Sequence, residues 1–250
     1  MSLAQKVRSC AAWPERCGAQ QWAVYKRVLA GAREHGIHFA VGGAFAAMTY
    51  IGQWRNTKDL DLYIEKSRRD EMVQMLSALG LRDYYEKLPY DRQWIYRSYV
   101  DDTIVDVIWA MANQRSQVDE EWLRGPEVEA GGERFRLLPP EELLWSKLYV
   151  LQHERCDWPD ILNLLQEMGS GMNWRHILQR VGDDAPLLRS LLTIFAWLSP
   201  NRARELPAWI WNELQLDIPV DTVDAAIVKQ RARILDSRPW FTAAMDAAGE

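Results

Sequence analysis

This sequence has little excess basic charge, few cysteines and no long apolar run, and each shortage excludes something. Acidic residues outnumber basic ones by 35 to 30, for a net charge of −5. That balance disfavours a broad surface for long nucleic acid, although it leaves room for a contact with a tRNA end. No apolar stretch approaches the ~18 residues of a membrane helix, and the opening MSLAQKVRSC has no signal-peptide core, so the expectation is a cytoplasmic protein with no membrane partner. The three cysteines, Cys10, Cys17 and Cys156, make no disulfide framework and have no zinc spacing, so they read as structural or incidental. The histidines show no ligand spacing. A Walker A loop and a GxGxxG turn are both missing, which removes the usual P-loop and dinucleotide readings. Apolar residues are plentiful at 48%, enough for a sizeable core. Thirteen tryptophans scatter along the chain and read mainly as core filling.

Periodicity divides the chain in two. Before the Pro139-Pro140 pair, helices are predicted over 20–34, 44–51 and 69–79, and strands over 37–41, 58–64, 92–100, 103–109 and 135–138. After it, the pattern is helical throughout, with helices near 141–153, 158–167, 173–181, 186–198, 202–214 and 221–234. The expected class is α+β: a mixed sheet with helices in a domain over 1–138, followed by an all-helical domain over 139–250.

The run TKDLDLYI carries the first chemical signal. Alternate strand residues share a face, so Leu60, Leu62 and Ile64 point to a core while Asp59 and Asp61 point away from it. Lys58 lies on the leucine side and is poorly placed to neutralise them. In the later run IVDVIW, Asp106 interrupts a strand that is apolar on both faces. A buried carboxylate there requires a cationic partner or a metal. If the two strands are neighbours, three aspartates converge, and each pair ~5 Å apart repels by about 3 kcal/mol at an effective dielectric near 20. A divalent ion removes that cost, and carboxylates without His or Cys favour Mg²⁺ or Mn²⁺. An arginine clamped permanently on one of the acids would instead count against such a site. Upstream, a strand runs into Gly42-Gly43 and then a helix. That layout brings backbone N–H groups close to a phosphate, or simply makes a tight turn.

The order of these parts, glycine pair, helix, Asp-x-Asp strand and a single later aspartate, resembles the nucleotidyltransferase superfamily with the DNA polymerase β-like fold. The resemblance spans roughly 37–109, with a weaker continuation to about 165. The stretch GGAFAAMTYIGQWRNTKDLDLYI is similar to the branch of AbiE-type toxin nucleotidyltransferases, with Arg55 and Thr57 matching its Arg-x-Thr. Ala44 stands where the family often has Ser or Thr, and the gap from glycines to acids is somewhat long. The resemblance implies a magnesium-dependent transfer of an NMP from an NTP to an acceptor hydroxyl on a small molecule, a tRNA end or a protein. It implies metal ligation and catalysis by Asp59, Asp61 and Asp106, and nucleotide contacts from Gly42, Gly43, Arg55 and Thr57. Lys147, inside an otherwise apolar helix stripe, is similar to a family lysine that meets the triphosphate; snorkelling to solvent is its plain alternative. The segment ERCDWPD places Asp157 and Asp160 at a helix start, where capping is the favoured reading, although either could hold Lys147. The expected site lies in the cleft between the two domains. Two other readings stay open: a catalytically silent nucleotide-binding or toxin–antitoxin interaction protein, and a nucleotide-sugar glycosyltransferase using Asp-x-Asp. The NTP, an unidentified acceptor and either a second copy or an antitoxin-like protein are the expected partners.

Overall fold

The computed structural model describes residues 13–54 and 57–235. Expectations resting on Cys10 and Arg55 therefore fall outside the described residues. The chain forms two compact units. One takes in the chain up to Thr49 with Trp54–Pro139, and the other takes in Tyr50–Gln53 with the chain from Pro140 onward. No helix among the described residues is long and apolar enough to cross a membrane.

The first unit is built on a seven-stranded mixed sheet of order β3-β4-β5-β2-β1-β7-β6. Its strands are β1 (Ala40–Val41), β2 (Asp59–Tyr63), β3 (Arg82–Asp83), β4 (Ile95–Val100), β5 (Thr103–Ile108), β6 (Glu127–Ala130) and β7 (Glu133–Leu137). Its helices are α1 (Trp13–Cys17), α2 (Ala19–Glu34), α3 (Gly43–Ile51), whose last turn belongs to the second unit, and α4 (Arg69–Ala78). Leu60 and Leu62 are buried, whereas Asp59, Asp61 and Tyr63 are half-buried, so β2 has the two faces its alternation predicts. β5 lies between β4 and β2 and is buried along most of its length. Trp13, Phe45 and Tyr25 pack as an aromatic cluster, with centroids 4.6 Å apart for Trp13–Phe45 and 5.7 Å for Tyr25–Phe45. Such clusters, together with the fully buried Trp109 and Trp122, bear out the core role read for much of the tryptophan content.

Several boundaries move for identifiable reasons. The strand expected over 37–41 pairs only at Ala40 and Val41, because the residues before them are still leaving the end of α2, where Ile37 N–H donates to Ala32 O. The β6–β7 hairpin turns at Gly131 and Gly132, both with positive φ (55° and 83°). This Gly-Gly turn was the available signal for β6, which periodicity misses because its EVEA buries only Val128 and Ala130.

The second unit is helical: α5 (Pro140–Leu148), α6 (Trp158–Met168), α7 (Trp174–Val181), α8 (Ala185–Leu198), α9 (Pro200–Ala203), α10 (Ala208–Glu213) and α11 (Ala225–Leu235). The helix expected over 141–153 stops at Leu148, and the chain doubles back so that Leu151 bridges Cys156. The helix expected over 202–214 is broken into α9 and α10, with Pro207 immediately before α10. Glu142 is fully buried between helices, where its Oε1 accepts from His176 Nε2 (2.6 Å) and lies 3.0 Å from Arg180 Nη2. Burial pushes its carboxyl above the usual range, while those two partners pull the other way.

Leu62 is wholly buried on β2, whereas Leu88 is 63% exposed. Leu62→Ala is expected to cost about 2–5 kcal/mol in urea unfolding, and Leu88→Ala to stay within about 0.5 kcal/mol of the parent.

Candidate active site

Three neighbouring strands bring the polar row together. β2 pairs in parallel with β5 so that Asp61 stands opposite Asp106, and β5 pairs antiparallel with β4 so that Asp106 stands opposite Arg97. Asp59 precedes Asp61 by two residues and shares its face. The two sequence runs are thus adjacent in space.

The structure adds Arg97, which the sequence reading did not single out. Its Nε donates to Asp106 Oδ1 at 2.8 Å and its Nη2 to Asp106 Oδ2 at 2.5 Å. The same Nη2 lies 3.9 Å from Asp59 Oδ2. Asp106 is 1% exposed and the Arg97 side chain 34%. This is a bidentate, charge-assisted pair. The Asp106 hydrogen bond drives the guanidinium further into its charged range, opposed by burial and reinforced by the charges of Asp106, Asp59 and Asp61. A signal for Arg97 was present. A tight turn at Asp101-Asp102 pairs Val100 with Thr103, and counting back along both strands sets Arg97 against Asp106.

The glycine pair lies against β2. Gly42 N–H donates to Asp61 O at 2.9 Å. A Cβ at Gly42 would fall 2.2 Å from Tyr63 Cε2. Gly43, at φ +54°, opens α3, and a Cβ there would fall 1.6 Å from Asp61 Oδ2. Both positions therefore require glycine because of side chains on β2, and the Asp61 carboxylate sits against the first residue of α3. Thr57 acts on the same row: its hydroxyl donates to Asp59 Oδ1 at 2.7 Å, and its carbonyl accepts from Gln21 Nε2 at 3.1 Å. Buried Tyr25 accepts from the same amide at 2.7 Å. Burial, above all, drives its phenol far above the usual range, and the charges of Asp59 and Asp61 add to the effect.

Lys147 lies in the second unit and does not snorkel. It is 5% exposed, and its Nζ donates to Asp157 Oδ2 and Asp160 Oδ2, both at 2.8 Å. Arg155 adds a two-pronged contact to Asp157, with both bonds 2.9 Å long. Asp157 occupies the N-cap position of α6, but its side chain makes no capping hydrogen bond. The capping expected of it gives way to ion pairing, which offers a buried carboxylate stronger partners than a backbone N–H. Burial by itself would raise the Asp157 carboxyl, but the Arg155 hydrogen bond and the Lys147 charge outweigh it and hold the pKa at about 2.

The acidic row does not form a ready metal cage. Among the described residues, no group of three or more His, Cys, Asp or Glu side chains is disposed to hold an ion. Both oxygens of Asp106 are engaged by Arg97, whose Nη2 also stands within 3.9 Å of Asp59. The donor chemistry suits a hard divalent ion, but the arrangement places a guanidinium where that ion would be shared.

A family model described as "Uncharacterised nucleotidyltransferase" matches residues 12–197. It speaks for nucleotidyl transfer as a class and does not single out the AbiE-type branch. No curated protein matches the chain in sequence. Among solved structures, similarity is found to the antibiotic-resistance factor ANT(2'')-Ia, at 20% identity and TM-score 0.43, covering 69% of this chain and 89% of that one. The lincosamide antibiotic adenylyltransferase LnuA, solved with lincomycin bound, is similar at 14% identity and TM-score 0.42, covering 57% and 94%. An antigenic nucleotidyltransferase-like protein from Paracoccidioides brasiliensis is similar at 19% identity and TM-score 0.42, covering 66% and 88%.

Gly43→Ala is expected to incur the ~1–2 kcal/mol of left-handed strain and to displace the Asp61 carboxylate besides. Gly80→Ala, with φ +86° and nothing within 4 Å of the added Cβ, carries the strain alone. Urea unfolding of the two variants should therefore rank Gly43→Ala as the more damaging. The Asp157 carboxyl is lower in the folded chain than its ordinary 3.8. Its stabilisation is thus complete above that value and is lost as pH falls through about 2. Asp157→Asn should lower stability at neutral pH by roughly 2 kcal/mol and flatten the acid limb of thermal midpoint against pH.

Proposed function

The chain belongs to this family of nucleotidyltransferases, and on that premise we propose that it moves the NMP of an NTP onto the hydroxyl of an acceptor. The acceptor oxygen forms a bond to the α-phosphorus, the bond from that phosphorus to the bridging oxygen breaks, and pyrophosphate leaves with the electron pair. The observation that carries this reading is the register that sets Asp61 beside Asp106, with Asp59 on the same face and the α3 start against Asp61.

The residues divide the work by position. Asp59, more exposed than Asp106 and oriented by the Thr57 hydroxyl, is placed to receive the acceptor's proton. Asp106 is less suited to that role while both its oxygens accept from Arg97. The backbone at Gly42-Gly43 and the start of α3 supplies the setting for phosphate oxygens. Arg97 is a cation at the row, and its planar fork matches phosphate as well as carboxylate. Magnesium or manganese is the cofactor expected of such chemistry. In the structure the Asp106 oxygens that such an ion would need are held by the Arg97 guanidinium. A small hydroxyl-bearing molecule is the favoured acceptor, since the acidic net charge disfavours a long nucleic-acid substrate.

The Arg97 clamp also favours a second reading, in which the chain binds a nucleotide without turning it over. Family membership favours either reading over the nucleotide-sugar one.

Asp61→Asn is the deciding variant. Incubation with labelled NTPs, divalent ion and a panel of hydroxyl-bearing acceptors should show transfer by the parent and at least about a hundredfold loss in the variant. The thermal midpoints should stay within a few degrees of each other. Nucleotide binding by the parent, with no transfer to any acceptor, would replace this reading with the silent one. Failure to bind any NTP would overturn both.

A further inference from the structure

We propose that the acceptor is a small anion of about the size of a sugar phosphate, whose phosphate or carboxylate is held by Arg82 and Lys87 while its hydroxyl meets Asp59. The inference rests on the nucleotide-transfer reading in calling that ligand an acceptor. The anion site itself stands on the geometry of the corner where β3 meets β4.

The polar face of the sheet continues past the acidic row. Tyr99 lies two residues beyond Arg97 on β4 and shares its face. The pairings set Asp59 opposite Ile104, Ile104 opposite Tyr99, and Tyr99 opposite Arg82. These four residues make a second row beside Asp61, Asp106 and Arg97. Ile104 is half-buried and forms an apolar floor between the acid at one end and the ring at the other. Tyr84 joins the two rows. Its ring centroid is 5.7 Å from that of Tyr99, and the Arg97 guanidinium carbon lies 5.8 Å from it.

Two cations converge over the Tyr99 ring. Lys87 Nζ is 3.8 Å from its centroid and Arg82 Cζ is 4.8 Å from it. The turn at Tyr84–Glu86 carries the chain round, so that Lys87 returns to the residue with which Arg82 pairs. Both side chains belong to exposed residues. Among the described residues, neither has a carboxylate partner or a hydrogen-bond acceptor for its side-chain nitrogens. Asp83, next to Arg82, is engaged by Arg92, by Tyr90 Oη and by the Tyr85 N–H. A ring face attracts a cation but leaves its N–H donors for an oxygen ligand. Two like charges held over one ring repel, and an anion between them removes the repulsion. A guanidinium and an ammonium so placed are matched to phosphate or carboxylate.

Strand order sets what the ligand must span. The α3 start, where the nucleotide's phosphates are placed, lies on the β1 side of the acids, and Arg82 and Lys87 lie on the β3 side. The two anionic reactants therefore approach from opposite sides. Asp59 and Tyr99 stand two strand spacings apart, ~10 Å, and the side chains at both ends shorten that gap. A sugar phosphate or a sugar acid bridges it over Ile104.

Calorimetric titration of the full chain with matched probes tests the site. Glucose 6-phosphate and glucuronate carry the anion, and glucose lacks it. The parent should bind at least one anionic probe about tenfold or more tightly than glucose, and the two arms show whether phosphate or carboxylate is preferred. Arg82→Glu combined with Lys87→Glu should lose about tenfold or more of that affinity, while NTP affinity stays within about threefold of the parent. Arg82→Lys with Lys87→Arg keeps both charges and should retain most of the binding. Should charge reversal prevent folding, Lys87→Gln alone should still lose several-fold. In the transfer assay, reversal should raise KM for the anionic acceptor with little change in kcat, the pattern of binding lost equally from ground and transition states. Anionic probes that bind no better than glucose, or equally well to the reversed variant, would overturn the proposal even if the parent transfers nucleotide to another acceptor. Binding that depends on Arg82 and Lys87, with no transfer onto any probe, would leave the anion site standing and overturn the reading of its ligand as an acceptor.

Discussion

The row Asp61–Asp106–Arg97 exists because β2 and β5 run parallel in one register while β5 and β4 run antiparallel in another. A slip of one residue in either pairing would turn one member of the row to the opposite face, since side chains alternate strictly along a strand. The leucines of β2 hold the first pairing by facing the core. The tight turn between β4 and β5 holds the second. The charged cluster depends on apolar packing and turn geometry that involve none of its own atoms.

Buried carboxylates are costly unless compensated, and here a guanidinium supplies the compensation. At the other end of the row the Asp61 carboxylate lies against the start of α3, where a negative group is favoured by the helix dipole. The second unit uses the same device more tightly. Lys147, Asp157, Asp160 and Arg155 close an ion cluster in which each charge has a partner, and Glu142 is matched by His176 and Arg180.

Much of the fold was legible where one periodicity held over a whole element. Helix α2, strand β2 and the helical run after Pro140 fall where alternation and helical spacing place them. The misses follow competing local effects. Pro207 interrupts an otherwise continuous helical stripe, and the short strands β3 and β6 bury too few residues for a pattern to show. At the site, the two faces of β2, the need of Asp106 for a cation and the glycine turn were readable, because each follows from one residue and its immediate neighbours. Lys147 was readable as an anomaly on its helix, and its two carboxylate partners were among those expected. Asp157 was misread because a local preference for capping lost to a partner ten residues away.

The sequence by itself determined that acids would line one face of β2, that Asp106 would need a positive partner, and that the chain would turn tightly at Gly42-Gly43. Those are properties of strand alternation, burial and backbone sterics, all set within a few residues. Only the tertiary structure decided that the positive partner is Arg97, and that Gly43 must be glycine because Asp61 reaches it. The physical reason is that sheet register is a collective outcome of core packing and turn geometry. It brings together side chains that no local pattern connects.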